Sequence, residues 1–176
     1  MAGDLNESAA IKKDQFVRMR KQVEEYIREA RQAIWDLRSP KLEHRNLAAA
    51  LRDATEHAIN GHDIRVEFAM AESAPRALPR VEEEVLKIGQ EAVLNAVHHA
   101  HASQITVELS YDERAMTLRV SDNGCGFDPA HLNDDHHYGL ASMKERAAVV
   151  GGRLIVATGA EQGTAVTAVV PLARTA

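Results

Sequence analysis

Two pairs of strand-like segments limit what this chain can fold into. Residues 104–111 (QITVELSY) and 115–122 (AMTLRVSD) alternate apolar and polar side chains on either side of a turn at 112–114, which is the pattern of a β-hairpin. A second pair, residues 153–158 and 164–171, flanks the turn GAEQG. With helical segments between them, these pairs predict an α+β two-layer sandwich, a mixed sheet packed on helices.

The remaining segments have mostly helical periodicity. Helices are predicted at about residues 42–59, 79–100 and 139–150, and one further strand at 64–68. Pro79 suits the first turn of a helix, because the amide hydrogen that proline lacks has no partner there anyway. Glycine-containing turns follow the first and third of these helices and would end them.

A long amphipathic helix is predicted near the amino terminus. Apolar residues recur at steps of three and four from Phe16 to Leu37, and Pro40 ends the pattern because it disfavours helical backbone at Ser39. This stripe can pack against the body of the domain or form the seam of a bundle or coiled coil. The sequence leaves both interpretations open.

Composition narrows the expected partners and location. The net charge is -5 and no block of Lys and Arg stands out, so nucleic-acid binding is not expected. Cys125 is the single cysteine, which excludes an internal disulfide, and no apolar run approaches the length of a membrane span. A cytoplasmic location is expected, although the parent protein can still be anchored in the inner membrane.

The helix predicted at about residues 79–100 carries a polar strip. Glu91, Asn95 and His98 follow at intervals of four and three, so they share one face of the helix. An acid and an amide on adjacent turns can hold Mg²⁺ through oxygen atoms, and a carboxylate can orient a group that attacks phosphate. Seen alone, the strip is more simply a solvated helix face.

The segment SDNGCGF (121–127) also has two interpretations. Asn123-Gly124 is a common hairpin turn, which would make the motif purely structural. Alternatively, Gly124 and Gly126 leave room below a flat ring, and Asp122 accepts a hydrogen bond from an exocyclic amine such as that of adenine.

Two later glycines favour the second interpretation. Gly139 precedes a helix whose free N–H groups and positive end suit phosphate. Gly163-Thr164 brings a hydroxyl to the start of the last strand. The combination indicates a purine nucleotide site.

These motifs, in this order, resemble the ATP-binding domain of sensor histidine kinases, in the superfamily shared with gyrase B, the mismatch-repair ATPases and the heat-shock chaperone ATPases. QEAVLNAVHHA (90–100) is similar to the N box and DNGCGF (122–127) to the G1 box. HHYGLASMKERAAVVGG (136–152) is similar to the short lid and G2 region, and Gly163-Thr164 to the closing motif. Four ordered motifs over about 78–172 make the resemblance specific.

The amino-terminal part resembles the nitrate-sensor and desaturase-regulator type of kinase, through EARQAIWDLRSP (29–40) and LAAALRDATEHA (47–58). This resemblance implies a flexible segment at residues 1–12. It implies the second helix of the dimerisation and phosphotransfer hairpin, with a linker, at 13–40. The ATP-binding catalytic domain is expected at 41–173.

The resemblance also implies a role for each matched residue. Glu91 is the expected catalytic residue, polarising the attacking group and reaching Mg²⁺ through water, while Asn95 binds Mg²⁺. Asp122 binds the adenine amine, and Thr164 supports it through water. The expected ATP-binding residues are Asn95, His98, His99, Asp122, Gly124, Gly126, Phe127, His137, Gly139, Leu140, Gly163 and Thr164.

One position departs from the family pattern. His98 occupies the place where the family usually has Lys or Arg. A neutral imidazole is a poorer phosphate partner than a permanent cation. We therefore expect weaker triphosphate binding at high pH.

The activity implied by the resemblance is phosphoryl transfer from Mg-ATP to a histidine on a dimerisation helix of a homodimer, and then to an aspartate of a response regulator. The acceptor motif of that family, a His followed by Asp or Glu, does not occur upstream of Phe16. The acceptor is therefore expected outside this chain, and autophosphorylation is not expected. The alternatives are a non-catalytic nucleotide-binding module and an anti-sigma-factor-type serine kinase; the linker helix ending in DLRSP disfavours the latter.

Overall fold

The computed structural model divides into two units, Met1–Lys41 and Leu42–Ala176. It describes residues 46–71, 77–127 and 138–172, together with Met19. The flexible segment and the long amino-terminal helix predicted for residues 1–40 lie outside the described residues, apart from Met19. The fold is therefore that of the second unit.

Three helices and five strands make up the described part of this unit, and they confirm the predicted α+β architecture. In chain order they are α1 (Leu47–Ala58), β1 (Arg65–Met70), α2 (Pro79–His99), β2 (Gln104–Tyr111), β3 (Ala115–Asp122), α3 (Tyr138–Val149), β4 (Arg153–Thr158) and β5 (Thr164–Pro171).

The strands form one mixed sheet in the order β1-β2-β3-β5-β4. β1 and β2 are parallel, and the other neighbours are antiparallel. Both hairpins predicted from the alternating pattern are present. Within the described ranges, no helix is long and apolar enough to cross a membrane.

Helix α1 begins later than predicted. The apolar pattern suggested a start near Leu42, but Asn46 has extended backbone, and its side-chain oxygen accepts a hydrogen bond from the Ala49 amide at 2.8 Å. An asparagine in this position pairs an otherwise unsatisfied amide and so sets the first turn at Leu47. Strand β1 is likewise displaced from the predicted 64–68 to Arg65–Met70.

Alternate strand residues form the core beneath the helices. In β2 and β3 the buried positions are Ile105, Val107, Leu109, Met116, Leu118 and Val120. Helix α2 approaches this layer closely at Gly89, where an added Cβ would lie 2.5 Å from Leu51 Cδ2 of α1 and 3.2 Å from Leu118 Cδ2 of β3. The absence of a side chain at Gly89 therefore lets α2 pack closely against both α1 and the sheet.

Candidate functional site

The amino-terminal end of α3 lies directly on the polar strip of α2. A Cβ added to Gly139 would overlap Glu91 Oε1 and lie 3.4 Å from Asn95 Nδ2. Gly139 is buried, while Glu91 and Asn95 are partly buried. Within the described residues, neither of these two polar side chains takes part in a hydrogen bond.

A salt bridge fixes the register of the same two helices further along. Arg146 Nη1 of α3 donates to Glu84 Oε2 of α2 at 3.0 Å, and both side chains are at least two-thirds buried. Glu84 and Glu91 are seven residues apart, as are Arg146 and Gly139, in the opposite chain direction. The helices are therefore antiparallel and in register over two turns.

Three polar residues lie side by side at the ends of neighbouring strands, on the face of the sheet that packs against the helices. Asp122 at the end of β3 pairs with Thr164 at the start of β5, and Thr164 pairs with Thr158 at the end of β4. Asp122 also pairs with the fully buried Ile105 of β2. Since residues paired in register point to the same face, all three polar side chains point towards the helical layer.

The Asp122 carboxylate is partly committed within the chain. Its Oδ1 accepts a hydrogen bond from the Gly124 amide at 2.9 Å. This leaves further acceptor capacity on the carboxylate, which has about four lone-pair sites. Asp122 can therefore hold its own loop and accept a ligand N–H at the same time.

Asn123 serves the fold. Its Oδ1 accepts from the amides of Ser103 at 3.0 Å and Gln104 at 2.9 Å, and its Nδ2 donates to Ser103 Oγ at 3.0 Å. The side chain thus ties the end of β3 to the connection between α2 and β2. Neither interpretation of Asn123-Gly124 from the sequence included this contact.

The glycines of the loop after β3 are required by backbone packing. A Cβ at Gly124 would overlap the Ala100 carbonyl, and one at Gly126 would overlap the Gly159 carbonyl and lie 2.8 Å from the Gly163 oxygen. Gly126 also has φ +60, a conformation that favours glycine. The room expected beneath a purine ring is therefore occupied by the chain itself at these Cβ positions.

The Thr158 hydroxyl joins three parts of this region. It accepts a hydrogen bond from the Phe127 amide at 3.0 Å and lies 3.2 Å from Thr164 Oγ1 and 3.3 Å from the Gly163 oxygen. Sequence reasoning missed Thr158, because it looks like an ordinary residue at the end of an alternating strand.

His98 and His99, both predicted to bind ATP, lie at the carboxyl end of α2. His98 and His99 are exposed, and the His98 ring is edge-on to His99 at 6.4 Å and to His62 at 6.3 Å between ring centroids. The His99 carbonyl lies 3.7 Å from the exposed Cys125 thiol. The end of α2 therefore borders the loop that follows Asp122.

Leu140 and His137 are also among the residues predicted to bind ATP. Leu140 is partly buried in the first turn of α3. His137 lies outside the described residues. The structure thus brings the remaining predicted residues into two groups, one at Glu91, Asn95 and Gly139 and one around Asp122 and Thr164, with α2 adjoining both.

The oxygen donors suit a divalent cation held together with phosphate. Among the described residues, no three His, Cys, Asp or Glu side chains form a group able to hold a metal ion. Mg²⁺ is commonly bound by one or two protein oxygens, with water and substrate phosphates completing its octahedron. Glu91 and Asn95 fit that limited role.

The amino-acid sequence of this chain matches a known protein family. Residues 80–174, more than half of the chain, match the family model described as histidine kinase-, DNA gyrase B- and HSP90-like ATPase. The chain belongs to this ATPase family. The matched segment contains all of α2 but its first residue, the loop after β3, α3 and the last hairpin, which are the elements that carry the candidate site.

Sensor kinases are among the relatives of this ATPase domain. The chain is 30% identical over 154 residues to the signal transduction histidine-protein kinase/phosphatase DegS of Brevibacillus brevis, covering 88% of this chain and 40% of DegS. It is 33% identical over 144 residues to the sensor histidine kinase LiaS of Bacillus subtilis, covering 82% of this chain and 39% of LiaS. The chain therefore spans well under half the length of these curated relatives.

Solved structures share the fold of this ATPase domain. The histidine kinase domain of the Erythrobacter litoralis EL346 blue-light activated histidine kinase has a TM-score of 0.59 and 21% identity, over 72% of this chain and 61% of that chain. The Acinetobacter baumannii histidine kinase AdeS has a TM-score of 0.59 and 14% identity, over 72% and 63% of the two chains. The histidine-kinase-type ATPase fold expected from the motifs is confirmed.

Proposed function

We propose that this chain is the catalytic part of a two-component sensor histidine kinase, which binds Mg-ATP and supplies its γ-phosphoryl group to a histidine. The observation that carries the proposal is the pair of polar groups bordering α2. One offers a partly buried carboxylate and hydroxyl where the two neighbouring strands β3 and β5 pair at one end, at Asp122 and Thr164. The other offers an acid and an amide beneath the start of α3, at Glu91 and Asn95.

The adenine end of the nucleotide is assigned to the end of the β3–β5 pair, at Asp122 and Thr164. The remaining acceptor positions of Asp122 suit the exocyclic amine of adenine, which guanine lacks at the equivalent position. Thr164 is the register partner of Asp122 and can share a water with it. Gly163 has φ +70 and lies against the backbone carbonyl of Asp122. This contact holds Thr164 next to the Asp122 side chain.

The phosphate end is assigned to the contact between α2 and α3. Backbone N–H groups in the first turn of α3 suit phosphate oxygens, and Leu140 lies in that turn. Asn95 supplies an oxygen for Mg²⁺, whose charge would stabilise the transferring phosphoryl group. The Glu91 carboxylate can reach Mg²⁺ through water and can polarise the attacking imidazole.

His98 and His99 are assigned to the phosphate side as weaker partners. Both are exposed at the end of α2. A neutral imidazole attracts phosphate less than the Lys or Arg usual in the family.

The parent protein is proposed to act as a homodimer. Residues 13–40 would supply the second helix of its dimerisation and phosphotransfer hairpin, and residues 41–173 the catalytic domain. The similarity to DegS covers 88% of the chain and so extends upstream of residue 80, which supports this division. A response-regulator aspartate would receive the phosphoryl group.

Isothermal titration with ADP and ATP, with and without Mg²⁺, tests the proposal. The protein should bind both nucleotides, and Asp122→Asn should weaken binding by about 1.5–3 kcal/mol, the range for hydrogen bonds to charged groups. Asparagine retains an oxygen for the Gly124 amide, so the fold should persist. Equal ADP affinity of the variant and the unsubstituted chain would contradict the assignment of adenine to Asp122.

A further inference from the structure

Thr158 lies at the point where the last hairpin meets the loop after β3. It is the last residue of β4, it is partly buried, and its register partner is Thr164. Through Thr164 it belongs to the same row as Asp122. Its side chain therefore points towards the helical layer, beside the site proposed for adenine.

The hydrogen-bonding capacity of the Thr158 hydroxyl can be used in full. A threonine hydroxyl has one hydrogen to donate and can accept two. It accepts from the Phe127 amide at 3.0 Å. It can accept from Thr164 Oγ1 at 3.2 Å. Its one hydrogen is directed between the Gly163 carbonyl at 3.3 Å and the Phe127 carbonyl at 3.4 Å. One hydroxyl thus connects the end of the loop to both residues of the closing motif.

Backbone contacts hold the same loop independently. The Glu161 amide donates to the Cys125 carbonyl at 2.7 Å, and the Cys125 amide donates to the Ala100 carbonyl at 2.8 Å. The strand ladder holds Asp122 itself. Losing the Thr158 hydroxyl would therefore free the end of the loop at Phe127 without unfolding the sheet.

We infer that Thr158 is a positioning residue for the nucleotide site: its hydroxyl holds Phe127 against Gly163-Thr164 and so fixes the loop beside Asp122. This inference rests on the proposed function, since the loop and Thr164 are assigned there to adenine. Thr158 does not need to touch the nucleotide. Its effect is on the shape of the site before the ligand binds.

Substitutions that separate the hydroxyl from the shape of the side chain test the inference. Thr158→Val keeps the branched shape and removes the hydroxyl, whereas Thr158→Ser keeps the hydroxyl. Thr167→Val is the matched control, because Thr167 lies on β5 with its side chain on the opposite face of the sheet. Each full chain would be titrated with ADP, and its thermal unfolding would be followed.

Thr158→Val should weaken ADP binding by roughly 5- to 100-fold, because a partly buried amide loses its partner. Thr158→Ser should stay within about threefold of the parent protein, and Thr167→Val should not change affinity. If the unsubstituted chain binds ADP and the Thr158→Val variant binds it equally tightly, the inference is overturned and the proposed function still stands. Equally weak binding of the Val and Ser variants would also overturn it, since the hydroxyl would not be the cause.

Amide hydrogen exchange gives a second measurement that needs neither nucleotide nor a stable valine variant. In the nucleotide-free parent protein the Phe127 amide should exchange slowly, because Thr158 accepts its hydrogen. It should remain slow in the Thr158→Ser variant. Exchange in the parent protein as fast as in an unstructured peptide would overturn the inference even if Thr158→Val failed to fold. Absence of ADP binding by the parent protein, with the Phe127 amide protected, would instead count against the proposed function.

Discussion

Gly139 of α3 lies against the carboxylate of Glu91 on α2, so closely that a Cβ at Gly139 would overlap Oε1. Seven residues away along each helix, Arg146 binds Glu84 at 3.0 Å. The salt bridge sets the register of the antiparallel helices, and this register places the first turn of α3 over Glu91. The position of the proposed phosphate site thus depends on a contact about two helical turns distant.

Gly139→Ala should separate stability from catalysis. The added methyl group meets the end of a flexible side chain, so Glu91 can turn away. Gly139 is the second residue of α3, where alanine gains less in helix propensity than in a helix interior. We expect the free energy of unfolding to change by less than about 1 kcal/mol. Phosphoryl transfer in the full-length parent should nevertheless fall, because the Glu91 carboxylate is displaced. Urea unfolding and a transfer assay measure the two effects.

Gly124→Ala is the contrasting variant. Its Cβ would overlap the Ala100 carbonyl, which is backbone and cannot turn away. We expect a loss of about 1–3 kcal/mol in the free energy of unfolding, the usual range for overpacking. If Gly139→Ala destabilised the protein as much as Gly124→Ala, Glu91 would be rigidly held and the proposed separation of stability from catalysis would be wrong.

Asn95→Ala and Glu91→Gln should fail in different ways. Removal of the Asn95 amide should abolish the Mg²⁺ dependence of ATP binding, because it removes a direct oxygen ligand. Glu91→Gln should preserve ATP binding and slow phosphoryl transfer in the full-length parent by roughly 10²–10⁴-fold, the usual contribution of a general base. Calorimetry with and without Mg²⁺ and single-turnover transfer measure these effects.

A conservative change elsewhere on α2 controls for nonspecific effects. Glu83 is exposed on the same helix, and Glu83→Gln should alter neither property. Equal loss of ATP binding in the Asn95 and Glu91 variants would mean that these side chains only hold the site together.

The architecture was predictable because its signals are local. Strand alternation and helical spacing are present within each segment, and residue burial in the sheet follows them: Ile105, Val107 and Leu109 are buried where the alternation requires. The start of α1 was placed too early because Leu42 continues the apolar spacing, whereas the hydrogen bond from Ala49 to Asn46 sets the boundary.

Contacts between distant segments were not predictable in the same way. Thr158 and Phe127 are 31 residues apart, and Glu84 and Arg146 are 62 apart. Neither pair forms a local pattern, since each depends on how strands and helices pack. Residue type and spacing pointed to Glu91, Asn95 and Asp122, and the resemblance then supplied a definite role for each. The side chains that position them depend on the three-dimensional arrangement.

The hairpin turn after β2 should contribute a pH-dependent stabilisation. Hydrogen bonds from the amides of Arg114 and Ala115 to Asp112 Oδ1, each 2.7 Å, lower the pKa of that carboxyl. Because the folded-state pKa lies below the unfolded value of about 3.9, the stabilisation is present above that pH and is lost as pH falls through the folded pKa. Carbon-13 titration of the carboxyl should give a pKa below 3.9.

Asp112→Asn is the matched variant for this turn. It keeps an oxygen acceptor and cannot titrate, so its stability relative to the parent protein should improve as the solution is acidified. A constant difference in unfolding free energy between pH 7 and pH 3 would show that these hydrogen bonds do not favour the ionised form.

The final prediction concerns the phosphate acceptor. Transfer requires an imidazole in line with the γ-phosphate, and the first histidine of this chain is His44, after the segment proposed as a dimerisation helix. We expect the 176-residue chain to bind ATP without labelling itself from γ-labelled ATP. Joined to the upstream helix of its parent, it should dimerise and acquire an acid-labile phosphohistidine. Acid-labile label on this chain alone, removed by replacing one of its own histidines, would show that the acceptor lies within it and that the proposed domain boundary is misplaced.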